Sequence, residues 1–385
     1  MRIDRPAATR LVVIALLLAL VCWLPFGLDS HRTFQLTMIA VWAVVAIGLN
    51  ILTGYNGQIS LGHGAFVTLG AYTSALLMAR QDWPFWVTII AAGVLAAIAG
   101  LLVGIPALRL SGPYLAIATL SLAIATPQIV KKYDDFTGGT QGIGRSDGLV
   151  QPGPPGFLSD LLNRDQWLYF VVLLTMLAMT LLAWFLLRGR IGRAFVAVRD
   201  AEVAAAAMGI NVARTKVTAF AISAFYAGIA GALFVQVQGI MTPDSIGILQ
   251  SITFLTSIVI GGLASILGSI IGAAFVVYLP SDITDLFKKL VGAIPGFSGE
   301  TIRPGALQGA AVIIVMLLMP AGVAGFLIRL IRLRPVTVLQ SVRSAPAGLR
   351  SGSAAALERL SSLWDSRPGR RGPPRPQSPE DKERG

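Results

Sequence analysis

The sequence predicts an all-α polytopic membrane protein with about ten transmembrane helices, some of them short or broken. Only 13% of the residues are charged and the mean hydropathy is +0.72, whereas soluble domains carry about 25% charged residues. About ten segments stay mostly apolar over the ~20 residues that a helix needs to cross a bilayer. An outer-membrane barrel would instead show short segments of alternating hydrophobicity.

The predicted spans follow the apolar runs in order along the chain. The first follows basic residues as in a signal peptide, but no small-residue cleavage site comes after it, so we expect it to remain as a spanning helix. The segment 60–79 is rich in glycine, and 248–280 fits either two short helices or one broken helix. The spans are roughly 11–28, 34–53, 60–79, 85–108, 113–130, 166–187, 217–239, 248–263, 266–280 and 306–328.

The positive charges indicate the face of the membrane on which each loop lies. With the N-terminus inside, 22 of the 31 Lys and Arg residues fall inside, including those of the segment 188–216. We therefore predict that both termini and this segment are cytoplasmic. The segments 131–165 and 281–304 become extracytoplasmic loops. The first is rich in Gly and Pro, which favours turns, and the second contains a possible short amphipathic helix, SDITDLFKKLVG.

The composition changes at Arg329, so we predict a transmembrane domain, 1–328, followed by a tail, 329–385. The tail is rich in Arg, Ser, Pro and Gly, so we predict that it is basic, largely disordered and cytoplasmic, where membrane lipid is a partner. Most of the net charge of +12 lies in this tail. The positive-inside rule explains such a charge on a cytoplasmic segment, so we expect no nucleic-acid partner. The single cysteine, Cys22, predicts no intrachain disulfide and no Cys-rich metal site.

The segment from Arg188 to Lys216 is charged although it lies between long apolar runs. It predicts a short amphipathic helix that ends with Gly209 as a left-handed C-cap residue, followed by apolar Ile210. Small side chains on its apolar face would let a groove of another protein approach the backbone. The alternative is a solvated, positively charged loop with an alanine-rich helix. The predicted apolar face is Ala194, Ala197, Ala201, Ala204 and Met208, and the residues near water are Arg193, Arg199, Asp200 and Glu202.

The sequence lacks the patterns of several chemistries. No Asp, Glu, Lys or Arg lies deep within a predicted span, which argues against a proton- or sodium-coupled carrier. There is no GxxxxGK[ST], so the chain does not bind ATP through a P-loop, and no HExxH, CxxC or GxSxG. We therefore expect no enzyme activity, and no metal or cofactor bound by this chain.

Glycine and polar residues concentrate in three stretches, at 53–72, 110–121 and 258–275. Glycine allows close packing of membrane helices, and it also tolerates the helix breaks that line substrate cavities. Either explanation accounts for these stretches. His63 is placed to donate a hydrogen bond to a solute or to bond a neighbouring carbonyl. The candidate pathway residues are Asn56, Gly57, Gln58, Ser60, Gly62, His63, Gly64, Tyr114, Thr119, Gly261 and Gly262.

Together these stretches resemble the permease subunits of branched-chain amino-acid ABC importers, and the M-type more than the H-type of the two paired permeases. The resemblance covers roughly 35–325, and the block 189–275 is its most specific part. The last span departs from the family's Arg-Pro-x-Gly pattern, because Met319 replaces the arginine. The matching pieces are LNILTGYNGQISLGHGAFVTLGAY (49–72), GPYLAIATLSLA (112–123), TGGTQGIG (137–144), 189–233 and TFLTSIVIGGLASILGSIIGAAF (253–275).

The resemblance implies an ABC importer permease fold in a bacterial cytoplasmic (inner) membrane. It implies a second permease subunit, two cytoplasmic ABC ATPase subunits that bind the ATP, and an extracytoplasmic solute-binding protein. The segment from about Arg193 to Gly209 is then the coupling helix, which contacts an ATPase. Arg199 and Glu202 are three residues apart and can pair with each other or with charges on the ATPase. The implied contact residues are Gly192, Arg193, Arg199, Asp200, Glu202, Ala205, Met208 and Gly209.

Three alternatives stay open at this point. The same type of importer can carry urea, short amides or other polar solutes in place of Leu, Ile and Val, and the candidate pathway residues do not decide between these solutes. A secondary transporter or channel acting alone is disfavoured by the missing intramembrane charges. A membrane enzyme is disfavoured because no cluster of catalytic residue types occurs.

Overall fold

The computed structural model describes residues 19–110, 112–156 and 158–291, with side chains to residue 278 except that of Arg145. The regular structure in these ranges is helical, apart from one isolated bridge between Ile143 and Met241. Residues 19–27 are helical, and a π-helical turn, Ile51–Tyr55, extends the first labelled helix. The labelled helices are α1 (Ser30–Asn50), α2 (His63–Gln81), α3 (Phe85–Ala107), α4 (Pro113–Lys132), α5 (Arg164–Arg188), α6 (Arg190–Asp200), α7 (Glu202–Ala207), α8 (Val212–Gln238), α9 (Ile248–Gly261) and α10 (Ile266–Val291).

Helices occupy the predicted spans wherever the chain is described. Five of them are long and apolar enough to cross a membrane, and two shorter apolar helices follow. The predicted span 306–328, the first part of the span 11–28 and the tail 329–385 lie outside the described residues. The five long segments are Ser30–Tyr55, Phe85–Ala107, Pro113–Lys132, Arg164–Arg188 and Val212–Gln238. The two shorter segments are Ile248–Gly261 and Ile266–Tyr278, which is the part of α10 whose side chains are described.

The structure settles two questions about the eighth and ninth predicted spans. The segment 248–280 is two helices separated by a turn, which decides between the two sequence interpretations. The possible short helix predicted from Ser281 is helical as far as Val291, but it continues α10 without a break and is not a separate helix. The segment from Ser281 to Val291 contains no glycine, and Pro280 is accommodated inside the helix, as is common in membrane helices.

Helix α1 lies at the centre of the described bundle. Every residue from Ala40 to Gly54 is buried, as expected for a helix whose sequence is apolar on all sides. The ring of Trp42 packs between Phe234 of α8 and Phe254 of α9, with ring centroids 5.2 and 5.0 Å away. The aromatic pairs therefore join three helices at one level of the bundle.

Small residues hold α8 close to α2 and α3. A Cβ atom on Gly228 would lie within 2.5 Å of the carbonyl oxygen of Ala92 and the Cβ atom of Ala96 in α3. A Cβ atom on Gly70 of α2 would collide with the backbone of Gly228. Because membrane helices gain stability from close van der Waals contact, these glycines serve helix packing.

Polar contacts concentrate at the two ends of the bundle. At the end where α4 finishes, Lys131 forms an ion pair with Asp244 at 2.9 Å, and Arg80 donates a hydrogen bond to the Asp135 carbonyl at 2.7 Å. The predicted loop 131–165 packs at this end and consists mainly of turns, as its glycines and prolines suggested. Helices α6 and α7 lie at the other end, beside the turn that joins α1 to α2.

Candidate functional site

The segment predicted as one coupling helix is two short helices. Helix α6 ends at Asp200 and α7 begins at Glu202, and between them Ala201 has extended backbone angles, φ −158° and ψ 91°. The alanine-rich sequence carries no break signal at this position. The helices are instead held by different neighbours on either side of Ala201, so the break comes from tertiary contacts.

The buried face of this segment also differs from the predicted alanine face. Helix α6 buries Gly192, Phe195 and Val198, and α7 buries Ala205. Ala201, Ala204 and Met208 are exposed, and Ala194 and Ala197 are only partly buried. The larger Phe195 and Val198 side chains gain more from burial than alanine does, and they set which face of α6 packs on the bundle.

The end of α7 matches the sequence prediction. Gly209 has a left-handed φ of +83°, and its N–H donates to the Ala206 carbonyl while the N–H of Ile210 donates to the Ala205 carbonyl, both at 3.0 Å. This is a Schellman motif, which favours glycine because a side chain strains the backbone there. The prediction for Gly209 and Ile210 is confirmed.

Helix α7 exposes two apolar side chains at the end of the bundle. Val203 is 86% exposed and Met208 is 84% exposed, although the residues around them are mostly small. The predicted charged residues Arg193, Arg199, Asp200 and Glu202 are exposed as well. We call the exposed surface of Val203, Ala204, Ala207 and Met208 the α7 tip. Its small side chains leave the backbone accessible to a partner.

Arg199 and Glu202 do not pair with each other, which was one of the two alternatives for them, because each has another partner in this chain. Arg199 pairs with Asp200 at 2.9 Å and donates to the Gly54 carbonyl at 2.8 Å. Both Glu202 carboxylate oxygens accept from the ammonium group of Lys216 at 2.8 Å. The break at Ala201 separates the two side chains that a continuous helix would have brought together.

The turn joining α1 to α2 brings candidate pathway residues next to these helices. Asn56 and Gln58 are buried, and Gln58 donates to Asn56 and also to the Lys216 carbonyl at 3.2 Å. Gly57 packs against the Arg199 side chain, where a Cβ atom would be only 2.8 Å from Cγ. A cavity of about 150 Å³ lies between the turn, α6 and α7. The predicted pathway and coupling residues therefore meet at one end of the bundle.

The remaining candidate pathway residues are mainly in helix contacts. His63 is fully buried, with Nε2 3.4 Å from the Ser223 hydroxyl. Thr119 accepts from the Leu61 N–H at 3.0 Å and packs against Gly62. Tyr114 stands apart, with 71% of its surface exposed on α4. Ser60 is fully buried, Gly64 donates to Ser251, and Gly261 and Gly262 end α9 in close contact with Gly268.

Sequence reasoning missed two features of this region. The first is Asn50, a buried amide at the end of α1 that contacts the turn between α9 and α10. An asparagine inside an apolar span is a sequence signal for such a role. The second is an apolar cavity of about 460 Å³ between α2, α3 and α4, lined by residues that include Phe66, Leu95 and Leu122. The size of this cavity depends on the distance between α3 and α4, which cannot be predicted from a residue pattern.

A comparison with protein families decides the class of this chain. A family model described as a branched-chain amino acid transport system permease component matches residues 32–320. The chain belongs to this family. This membership confirms the resemblance drawn from the motifs. It also shows that the chain is a transport permease component. Its apolar helices together with this membership identify it as a multi-pass protein of the inner membrane.

Several curated proteins are similar to the permease. It is 34% identical over 285 residues to the high-affinity branched-chain amino acid transport system permease protein LivM of Escherichia coli, covering 70% of this chain and 67% of LivM. It is 27% identical over 303 residues to the corresponding LivH of Salmonella typhimurium, covering 75% and 92%. Autoinducer 2 import system permease protein LsrC of Klebsiella pneumoniae is 29% identical over 184 residues, covering 46% and 49%. No solved structure matches the permease significantly.

Proposed function

We propose that the permease is one of two membrane subunits of an ATP-driven importer that carries Leu, Ile and Val across the bacterial cytoplasmic membrane. The names of LivM and LivH, each a permease of a branched-chain amino acid transport system, support both the solute and the pairing of two permeases. Two cytoplasmic ABC ATPases supply the energy, and an extracytoplasmic solute-binding protein delivers the amino acid. The chain itself binds no ATP, metal or other cofactor.

This proposal rests mainly on the α7 tip, which is apolar, exposed to solvent and held on the bundle by side-chain contacts. Val203 and Met208 extend from a helix that is stopped by the Gly209 cap. The Arg199 bond to Gly54 and the ion pair of Glu202 with Lys216 anchor the two helices to the bundle. An exposed apolar surface that the rest of the protein holds in place is typical of a protein-binding site. We infer that a groove of the ATPase receives this tip.

The same proposal includes the placement of the chain in the membrane. Ten spans put both termini in the cytoplasm, with α6 and α7 on the cytoplasmic face, because that face then holds 22 of the 31 Lys and Arg residues. The extracytoplasmic face holds the loop 131–165, where the binding protein docks. The permease domain is 1–328, and the basic tail 329–385 lies in the cytoplasm against anionic lipid.

The apolar cavity supports an aliphatic solute over urea or a short amide. Its volume is about 460 Å³ and almost its entire lining is apolar. One exception is the hydroxyl of Thr68, which is fully buried and has no hydrogen-bond partner within the described part of the chain. An apolar wall favours a branched side chain, whereas urea has no apolar part to bury there. The ammonium and carboxylate groups of the amino acid would then stay outside this lining, where water or polar groups reach them.

Reconstitution tests the proposal directly. The permease, its partner permease, the two ATPases and the binding protein are placed in proteoliposomes, and uptake of leucine and urea is measured with and without ATP. We expect leucine uptake that needs both ATP and the binding protein. Uptake that follows an ion gradient without ATP would overturn the importer, and ATP-driven uptake of urea but not leucine would overturn the solute.

A further inference from the structure

Asn50 binds both sides of the turn between α9 and α10. The side chain is 1% exposed, and its amide nitrogen donates to the Ser269 hydroxyl at 2.8 Å and to the Ser265 carbonyl at 3.0 Å. Its amide oxygen accepts from the Ala264 N–H at 2.9 Å. Ala264 is held at a φ of +57°, a left-handed conformation that is rare for alanine. The Asn50 amide thus fixes a strained turn inside the bundle.

The next helical turn carries the contact with the cytoplasmic helices. Gly54 lies in the π-helical turn, and its carbonyl accepts from Arg199 at 2.8 Å. On its other side Gly54 packs on Asn50 and on the Ala264 backbone, so closely that a Cβ atom would collide with the Asn50 amide oxygen. π-Helical turns occur frequently at functional sites. A continuous set of short contacts therefore joins α6, the π-helical turn and the α9–α10 turn.

We propose that Gly54 and Asn50 link movement of the cytoplasmic helices to movement of the turn between α9 and α10. This inference rests on the proposed function, in which an ATPase displaces α6 and α7. Displacement of Arg199 pulls the Gly54 carbonyl, and the Asn50 amide passes the displacement to Ala264 and Ser265. Hydrogen-bonded and packed contacts of this kind can carry coupling between two sites. Asn50 is then a positioning residue for transport.

The first test compares ATP hydrolysis with uptake in the reconstituted importer, which contains both permeases, the two ATPases and the binding protein. Asn50→Leu keeps the branched shape of the side chain but removes all its hydrogen bonds, and Ser269→Ala removes one of them without adding bulk. Thr37→Val is the matched control, because the Thr37 hydroxyl is buried in the same helix and, among the residues that the structure describes, bonds only the Thr33 carbonyl. We expect both test variants to raise the ATP used per leucine, with Asn50→Leu raising it roughly tenfold, within the usual range of coupling between sites.

The outcomes separate this inference from the proposed function. If the wild-type assembly shows no ATP-driven uptake, the proposed function fails. If the wild type transports and Ser269→Ala and a folded Asn50→Leu protein both keep the normal ratio of ATP to leucine, the link is wrong. A parallel loss of hydrolysis and uptake, without a change in the ratio, also overturns it, since that result indicates a structural role only.

A distance measurement tests the movement itself. Spin labels at Ile191→Cys on α6, outside the α7 tip, and at Leu263→Cys in the α9–α10 turn are each paired with a label at Trp83→Cys, in a Cys22→Ser background. All three labelled positions are exposed. When the ATPases bind ATP, both distances should change in the otherwise unmodified protein, and Asn50→Leu should abolish only the change at position 263. Persistence of that change in Asn50→Leu would overturn the link.

Discussion

Removal of the Met208 side chain should weaken the contact between the permease and its ATPase. The side chain is 84% exposed in this chain, so nearly all of its apolar surface is available for burial by a partner. Full burial of a methionine side chain contributes about 1.5–3 kcal/mol, which corresponds to roughly ten- to hundredfold in a dissociation constant. We therefore expect Met208→Ser to bind the ATPase subunits about ten- to hundredfold more weakly.

The assay is the affinity of purified ATPase subunits for the permease pair in lipid nanodiscs. Leu161→Ser is the matched control, because Leu161 is 72% exposed at the opposite end of the bundle. The thermal midpoint of both variants should equal that of the wild type, since neither side chain is packed inside the bundle. An unchanged affinity of Met208→Ser, with the variant folded, would refute the assignment of the α7 tip to ATPase docking.

Three further predictions concern the same regions. Gly209→Ala should lower the free energy of unfolding by about 1–2 kcal/mol, because φ is +83° there, and denaturant unfolding measures this. Glu202→Gln should cost less than about 1 kcal/mol in the same measurement, since its ion pair with Lys216 is partly exposed. Ala99→Phe should fill the apolar cavity and lower leucine uptake in proteoliposomes, whereas Leu102→Phe, on the exposed face of the same helix, should leave uptake unchanged.

The helices of the bundle could be predicted from the sequence because their signal is local. A span must be apolar over its whole length, since unpaired backbone groups are not tolerated in lipid, and this requirement shows directly in the residues. The C-cap at Gly209 was predictable for the same reason, because only the residues beside it determine the motif. The continuity of α10 through Pro280 was not predicted, because proline usually ends a helix and here it lies inside one.

The candidate site was predicted less completely, because its residues come from distant parts of the chain. The segment 193–209 was correctly predicted to be helical and partly exposed, but its buried face and its break depend on neighbours in α1 and α8. Arg199 is bound by a carbonyl 145 residues away, and Asn50 contacts a turn more than 200 residues away. No periodicity in the sequence reports such partners.

The membrane class, the order of the helices, the charge asymmetry and the motifs of the permease family could all be predicted without coordinates, because each depends on composition or on short patterns. The tertiary structure decided which side chains meet. It divided the predicted coupling helix at Ala201, gave Arg199 and Glu202 separate partners, and placed Asn50 against the turn at Ala264. These outcomes depend on packing and hydrogen bonding between helices, which are settled only when the whole bundle assembles.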